Sequence, residues 1–208
     1  MTPTTNASTS ERPPARPAAS STHRVCPWWL GPFLVSPLRR LIESPERLLA
    51  PWVRPGMTVV EPGCGMGFFT LPLARLVGPA GRVVSVDLQP RMIDGLRRRA
   101  RRAGLLDRIH ASVCTEDDAG LGAFAGAADL AVAIHMLHEV PDASRLLTQL
   151  HAALRPGGLL LVLEPKGHVS PDGFAGTLAL AGTAGFVDTG RKPGGRGLGA
   201  ILEKPEVQ

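Results

Sequence analysis

Two periods of apolar residues run through the chain. Short runs rich in Val, Leu and Ile read as strands at 57–61, 82–87, 108–113, 129–134, 158–164, 186–189 and 198–203. Between them the apolar positions recur at helical spacing over 67–77, from Pro90 to about Ala103, from Ala143 to Leu154, and from Pro171 to Ala184. Pro90 stands at a first helical position, where its missing N–H costs no hydrogen bond. Strand alternating with helix implies a parallel sheet joined by right-handed crossovers. No apolar run reaches the ~20 residues of a membrane span.

The segment ahead of this core is different. From Cys26 to Val53 it is apolar but interrupted by prolines. Leu38, Leu41 and Ile42 fall at helical spacing, with Arg39 and Arg40 on the other side. Ser44 followed by Pro45 reads as an N-cap and first residue of a short helix ending at Leu49 or Ala50. Residues 1–24 are rich in Pro, Ser, Thr and Ala, which predicts a disordered tail. They carry no apolar core of a secretory signal, and Glu11 and the prolines argue against a transit helix. The division expected is a tail over 1–24, a helical segment over 25–55 and one α/β domain over 56–205.

Where the first strand ends, Glu61 is followed by Gly63, Gly65 and Gly67, and then by a helical pattern. Strand, glycine turn and helix let a backbone approach a nucleotide closely. A Cβ there would block both the φ > 0 turn and the ligand. The second strand ends at Asp87, twenty residues past Gly67, placed to accept hydrogen bonds from ribose hydroxyls. The dinucleotide fingerprint needs its third glycine where Phe68 stands, so a nicotinamide oxidoreductase is disfavoured.

The spacing G-x-G-x-G behind Glu61-Pro62 resembles motif I of the class I S-adenosylmethionine-dependent methyltransferases. VSVDLQPRM (84–92), ADLAVAIHMLHEVPD (128–142) and LRPGGLLLVLEP (154–165) resemble further blocks of small-molecule members of the ubiquinone/menaquinone type. The resemblance spans 56–205. It implies a Rossmann-like seven-stranded, mostly parallel sheet with helices on both faces and an antiparallel last strand, reached through the glycine-rich loop 190–197. It implies S-adenosyl-L-methionine as cofactor and a small-molecule methyl acceptor. Cofactor contacts are expected from Glu61, Gly63, Cys64, Gly65, Gly67, Asp87, Leu88, Ile134 and His135, with Asp117, or else Asp118, taking the adenine amino group; Met92 reads as core. The segment 25–55 is expected either to fold over the cofactor as a lid or to cover one end of the sheet.

Methyl transfer needs alignment first, and a base only when the nucleophile must lose a proton. Candidates on the acceptor side are His138, His168 and Glu164, with Lys166 as a further contact; histidine ionises near neutrality. A structural role for His138 is the competing reading. Cys26 with His138 and His168 would suit a soft metal or metalloid, as in arsenite methyltransferases, but Cys64 and Cys114 lie elsewhere, so no metal is expected. Three cysteines without CxxC spacing fit a reducing cytoplasm.

The net charge of +5 is carried almost wholly by arginine, and there is no Tyr among 208 residues. That bias weakens any inference from charge to nucleic acid. The run Arg97, Arg98, Arg99, Arg101, Arg102 reads as the solvated face of an outer helix, with RNA methylation as the alternative. The Asn/Asp-Pro-Pro-aromatic motif of base-methylating enzymes is replaced by His135-Met136-Leu137-His138. A non-catalytic cofactor-binding regulator is the remaining alternative, and a homodimer is the assembly left open.

Overall fold

A computed structural model describes residues 43–206 together with Trp29, Phe33 and Val35. Its seven strands are β1 (Thr58–Pro62), β2 (Arg82–Asp87), β3 (Ile109–Val113), β4 (Ala128–Ile134), β5 (Leu154–Glu164), β6 (Val187–Asp188) and β7 (Leu198–Glu203). They form one sheet in the order β3-β2-β1-β4-β5-β7-β6. The first five are parallel, and β7 runs antiparallel to both β5 and β6. The fold expectation therefore holds, including the reversed last strand.

Consecutive residues of each central strand feed opposite cores, as the two-residue period requires. Val59, Val83, Val132 and Leu161 pack on one face against helices α1 (Pro45–Leu49), α2 (Thr70–Leu76) and α3 (Pro90–Arg102). Val60, Val84, Ala131 and Leu160 pack on the other against α4 (Ala143–Ala153) and α5 (Pro171–Thr183). Burial on both faces is why these strands read as unbroken apolar runs rather than alternating ones.

Three boundaries differ from expectation. The helix expected at 67–77 begins only at Thr70, because Gly67 sits at φ +85, outside the right-handed helical region, and its N–H bonds the Cys64 carbonyl at 3.0 Å. The strand expected at 158 begins at Leu154: the Arg-Pro-Gly-Gly stretch is an irregular strand start, with Leu154 opposite Ala128 before the register shifts. The strand expected at 186–189 is two residues long.

α1 opens as expected, with Ser44 Oγ accepting the Arg47 N–H at 3.4 Å and Pro45 following it. On α3, Arg97 donates to the Ala111 carbonyl at 2.6 Å and Arg99 bonds the Met66 carbonyl. Part of the basic run therefore ties helix to loop and strand, while Arg98, Arg101 and Arg102 are exposed. Among the described residues no helix is long and apolar enough to cross a membrane.

Candidate functional site

Strand order reverses direction between β1 and β4, and in such sheets the crevice beyond the carboxyl ends of the strands at that point takes ligands. A cavity of about 270 Å³ lies there, walled by the loops after β1, β2, β3 and β4.

The glycine loop forms its floor. Gly63, Gly65 and Gly67 all have positive φ, at +64, +53 and +85. The Gly65 N–H is held by Asp87 Oδ2 at 2.9 Å, and Asp87 Oδ1 takes the Gln89 N–H at 2.9 Å. One carboxylate thus fixes both loops that flank it. Its burial raises the Asp87 pKa, against which the two N–H donors act. A Cβ on Gly65 would meet no heavy atom within 4 Å, whereas one on Gly67 would meet Leu96 Cδ1 at 2.5 Å. Gly65 therefore leaves room for a ligand at the backbone, and Gly67 leaves room for helix α3. This cradle, with a buried acid behind it and Leu88 and Met92 on the wall, fits the adenosyl sulfonium cofactor expected from the sequence.

Glu61 stands apart from the wall. It is 4% exposed, and its Oε2 accepts hydroxyl hydrogen bonds from Thr70 at 2.6 Å and Ser85 at 2.9 Å. Burial pushes its pKa up to about 8, opposed by the two hydroxyls and helped by the Asp87 charge. Its structural part is to tie β1, β2 and the start of α2 together beneath the loop. The sign of its linkage is fixed: the folded pKa lies above the unfolded 4.5, so stability is full below that value and declines as pH rises towards 8. Glu61→Gln should flatten this decline, which is on the order of a few kcal/mol between about pH 5 and about pH 8. Denaturant midpoints of both proteins at the two pH values check it.

At the β4 tip, His135 is the one non-glycine with positive φ among the described residues, at +57. Its N–H bonds the Leu163 carbonyl at 2.7 Å, and its ring Nε2 lies 3.6 Å from Glu43 Oε1. A left-handed residue held by its neighbours on a cavity wall is where backbone strain tends to serve a site. Ile134, His135 and Met136 line the cavity with Phe69, whose ring centroid is 6.3 Å from that of His135. Val35 lines it too, while Trp29 and Phe33 are 62% and 70% exposed. Trp28, Leu38, Leu41, Ile42 and Cys26 lie outside the described residues.

His138, Glu164 and His168 converge as a second group behind the β4 tip. His138 Nδ1 is 2.6 Å from Glu164 Oε2, its main-chain N–H bonds Glu164 Oε1 at 3.3 Å, and the His168 ring meets it edge-on at 5.7 Å. Glu164 is 1% exposed; burial raises its pKa and the His138 contacts oppose the rise. His138 Nε2 points back to within 3.9 Å of Glu139 Oε1, and Glu139 lines the cavity. Among the described residues no three His, Cys, Asp or Glu are placed to hold a metal.

Asp117, like Glu61, is an expected residue that does not stand on the cavity wall. Its side chain is 83% exposed and pairs with Arg145, while Glu116 and Ala119 stand on the wall. The reason is α4, whose Arg145 and Gln149, one turn apart, both reach the loop after β3. Cys64 and Cys114 line the cavity, and burial raises both thiol pKa values, Cys114 to about 11. Gln149, Leu146, Phe69 and Glu139 were not read from sequence as site residues. The three-residue spacing of Leu146 and Gln149 on one helix face was the available signal.

Residues 59–158 match the family described as a methyltransferase domain. The chain is 33% identical over 138 residues to a ubiquinone biosynthesis O-methyltransferase of Methylocella silvestris, covering 63% of this chain and 51% of that one. It is 31% identical over 111 residues to a ubiquinone/menaquinone biosynthesis C-methyltransferase of Vibrio vulnificus, covering 53% and 42%. The chain thus spans about half the length of these relatives. A crystal structure of an Aquifex aeolicus protein superposes with a TM-score of 0.76 at 22% identity, over 86% of this chain and 100% of that one.

Proposed function

Because the chain belongs to the class I S-adenosylmethionine-dependent methyltransferases, we propose that it methylates a small, largely apolar acceptor bearing a hydroxyl group. The observation that carries the cofactor half of this reading is the open space over Gly65, with its N–H pinned by Asp87; the acceptor half rests on the apolar lining by Val35, Phe69 and Met136. Bound S-adenosylmethionine supplies a methyl group on a sulfonium whose departure leaves a neutral thioether.

The chain's residues divide into two tasks. Gly63, Gly65, Asp87 and Leu88 hold the nucleoside and amino acid parts, with Ile134 and His135 beside the reacting centre. Val35, Phe69 and Met136 give the cavity an apolar, water-excluding wall that suits an aromatic body. His138 is the proton acceptor: with Nδ1–H directed at Glu164, its Nε2 carries the lone pair. His168 packs on the same ring and limits its rotation. The relative named as a ubiquinone biosynthesis O-methyltransferase supports an oxygen as the accepting atom.

The test is incubation with methyl-labelled S-adenosylmethionine and a panel of hydroxylated aromatics, with total RNA in parallel. Label should enter the organic extract. Label in RNA, or none in any acceptor despite intact cofactor binding, would contradict the assignment.

A further inference from the structure

The glycines of the loop after β1 face different neighbours. A Cβ on Gly65 would meet no heavy atom within 4 Å, and one on Gly67 would meet Leu96 and Leu71. A Cβ on Gly63 would lie 3.2 Å from Met136 Cβ, 3.3 Å from its Cε and 3.4 Å from its Cγ. The Met136 side chain therefore runs along Gly63 from its root to its terminal methyl. Gly63, Gly65 and Met136 all line the cavity, so a floor that is open over Gly65 is covered at Gly63 by this thioether arm.

The main chain that carries the arm is held on both sides. The left-handed His135 donates its N–H to the Leu163 carbonyl at 2.7 Å. The Met136 carbonyl accepts the Glu139 N–H at 3.0 Å, closing a 3-10 turn over Leu137–Glu139. Glu164 Oε1 takes the His138 N–H in the same turn at 3.3 Å. The root of the arm is thus fixed, while the half-buried thioether turns about its own single bonds. An unbranched side chain on a fixed root fills the space beside a glycine closely and yields to a ligand only by changing rotamer.

We propose that Met136 is the size filter at the sulfonium, admitting a methyl substituent and turning away longer ones. The proposal rests on the cofactor reading above, in which Asp87 holds the ribose at the β2 tip and Ile134 and His135 stand beside the reacting centre. β1 lies between β2 and β4 in the sheet, so the sulfonium end of the ligand crosses the glycine loop towards Met136. A substituent longer than methyl enters the space that the arm occupies over Gly63. Phe69, edge-on to His135 and 7% exposed, is packed into the core, so the adjustable member of this wall is Met136.

Calorimetric titration of the full chain, of Met136→Ala and of the similarly sized Met136→Leu tests this without turnover. The ligands are S-adenosylhomocysteine, S-adenosylmethionine, S-adenosylethionine and the S-allyl analogue. S-adenosylhomocysteine has no third substituent on sulfur and gives each protein its reference affinity. In the unaltered protein the allyl compound should bind at least about tenfold more weakly than the methyl compound, with the ethyl compound between them. Met136→Ala should bring the allyl compound to within about threefold of the methyl compound. Met136→Leu, which keeps the volume, should keep most of the discrimination. Discrimination of the same size in Met136→Ala overturns the proposal, and so does a parallel loss of affinity for every ligand, which would make Met136 a prop of the loop. If the unaltered protein binds S-adenosylhomocysteine but treats methyl and allyl alike, the size filter falls and the cofactor reading stands. Failure to bind S-adenosylhomocysteine at all would overturn the cofactor reading, and this one with it.

Discussion

Gly65→Val is expected to abolish adenosyl binding while the protein stays folded. The residue sits at φ +53, and a Cβ added to it meets nothing within 4 Å, so the protein itself does not block the first carbon of a side chain. The ligand does not: Gly65 lines the cavity, and its amide is held in place by Asp87. A left-handed β-branched residue costs at least about 1–2 kcal/mol, which lowers Tm by several degrees in a domain of this size. Affinity for S-adenosylhomocysteine should fall more than about 100-fold, close to 3 kcal/mol. Thermal unfolding and calorimetry together check the pair of outcomes. Gly67→Ala is the contrasting change, since its Cβ would strike Leu96 and Leu71, and the loss would appear in stability first.

His138→Ala should lower turnover by about 10²- to 10⁴-fold, the range for removal of a general base. Cofactor affinity should stay within about twofold, because the His138 side chain is held by Glu164 and turns its Nε2 towards Glu139, away from the glycine loop. Added imidazole should restore part of the lost rate, which a merely structural histidine would not allow. Steady-state rates with and without imidazole, beside a calorimetric titration of the variant, separate these roles. Full turnover in the variant would return His138 to the support of the β4 loop.

The central strands were legible because both faces of each are buried, so Val59-Val60, Val83-Val84 and Leu160-Leu161 announce themselves as apolar runs. Asp87 and the three glycines were legible because the requirement they meet is local: a φ > 0 turn and an acid at a strand tip. Helix α2 was placed three residues early because the apolar pattern continues through Phe68 and Phe69, while the chain conformation at Gly67 does not permit a helix there.

Which acid after β3 stands on the cavity wall is settled by tertiary contacts rather than by local sequence. Glu116, Asp117 and Asp118 are equivalent in sequence and all exposed in the fold, and nothing local says that Arg145, 28 positions on, pairs with Asp117 while Glu116 reaches the cavity wall. Gln149 is illegible in the sequence for the same reason, since nothing local to α4 says that its amide meets the backbone of residues 117 and 119. By contrast, the convergence of His138, Glu164 and His168 follows from topology. β4 and β5 are parallel neighbours, so the residues after their ends meet at one edge.

The central claim is that the cavity at the β1–β4 switch point is an adenosyl sulfonium site. Its most direct test is parallel calorimetric titration of the protein with S-adenosylmethionine, S-adenosylhomocysteine and NAD. The first two should bind in the micromolar range, about −8 kcal/mol, and NAD should give no heat, because the Phe68 side chain takes the place of the third fingerprint glycine on the cavity wall. Binding of NAD, or silence from both adenosyl ligands, would contradict it.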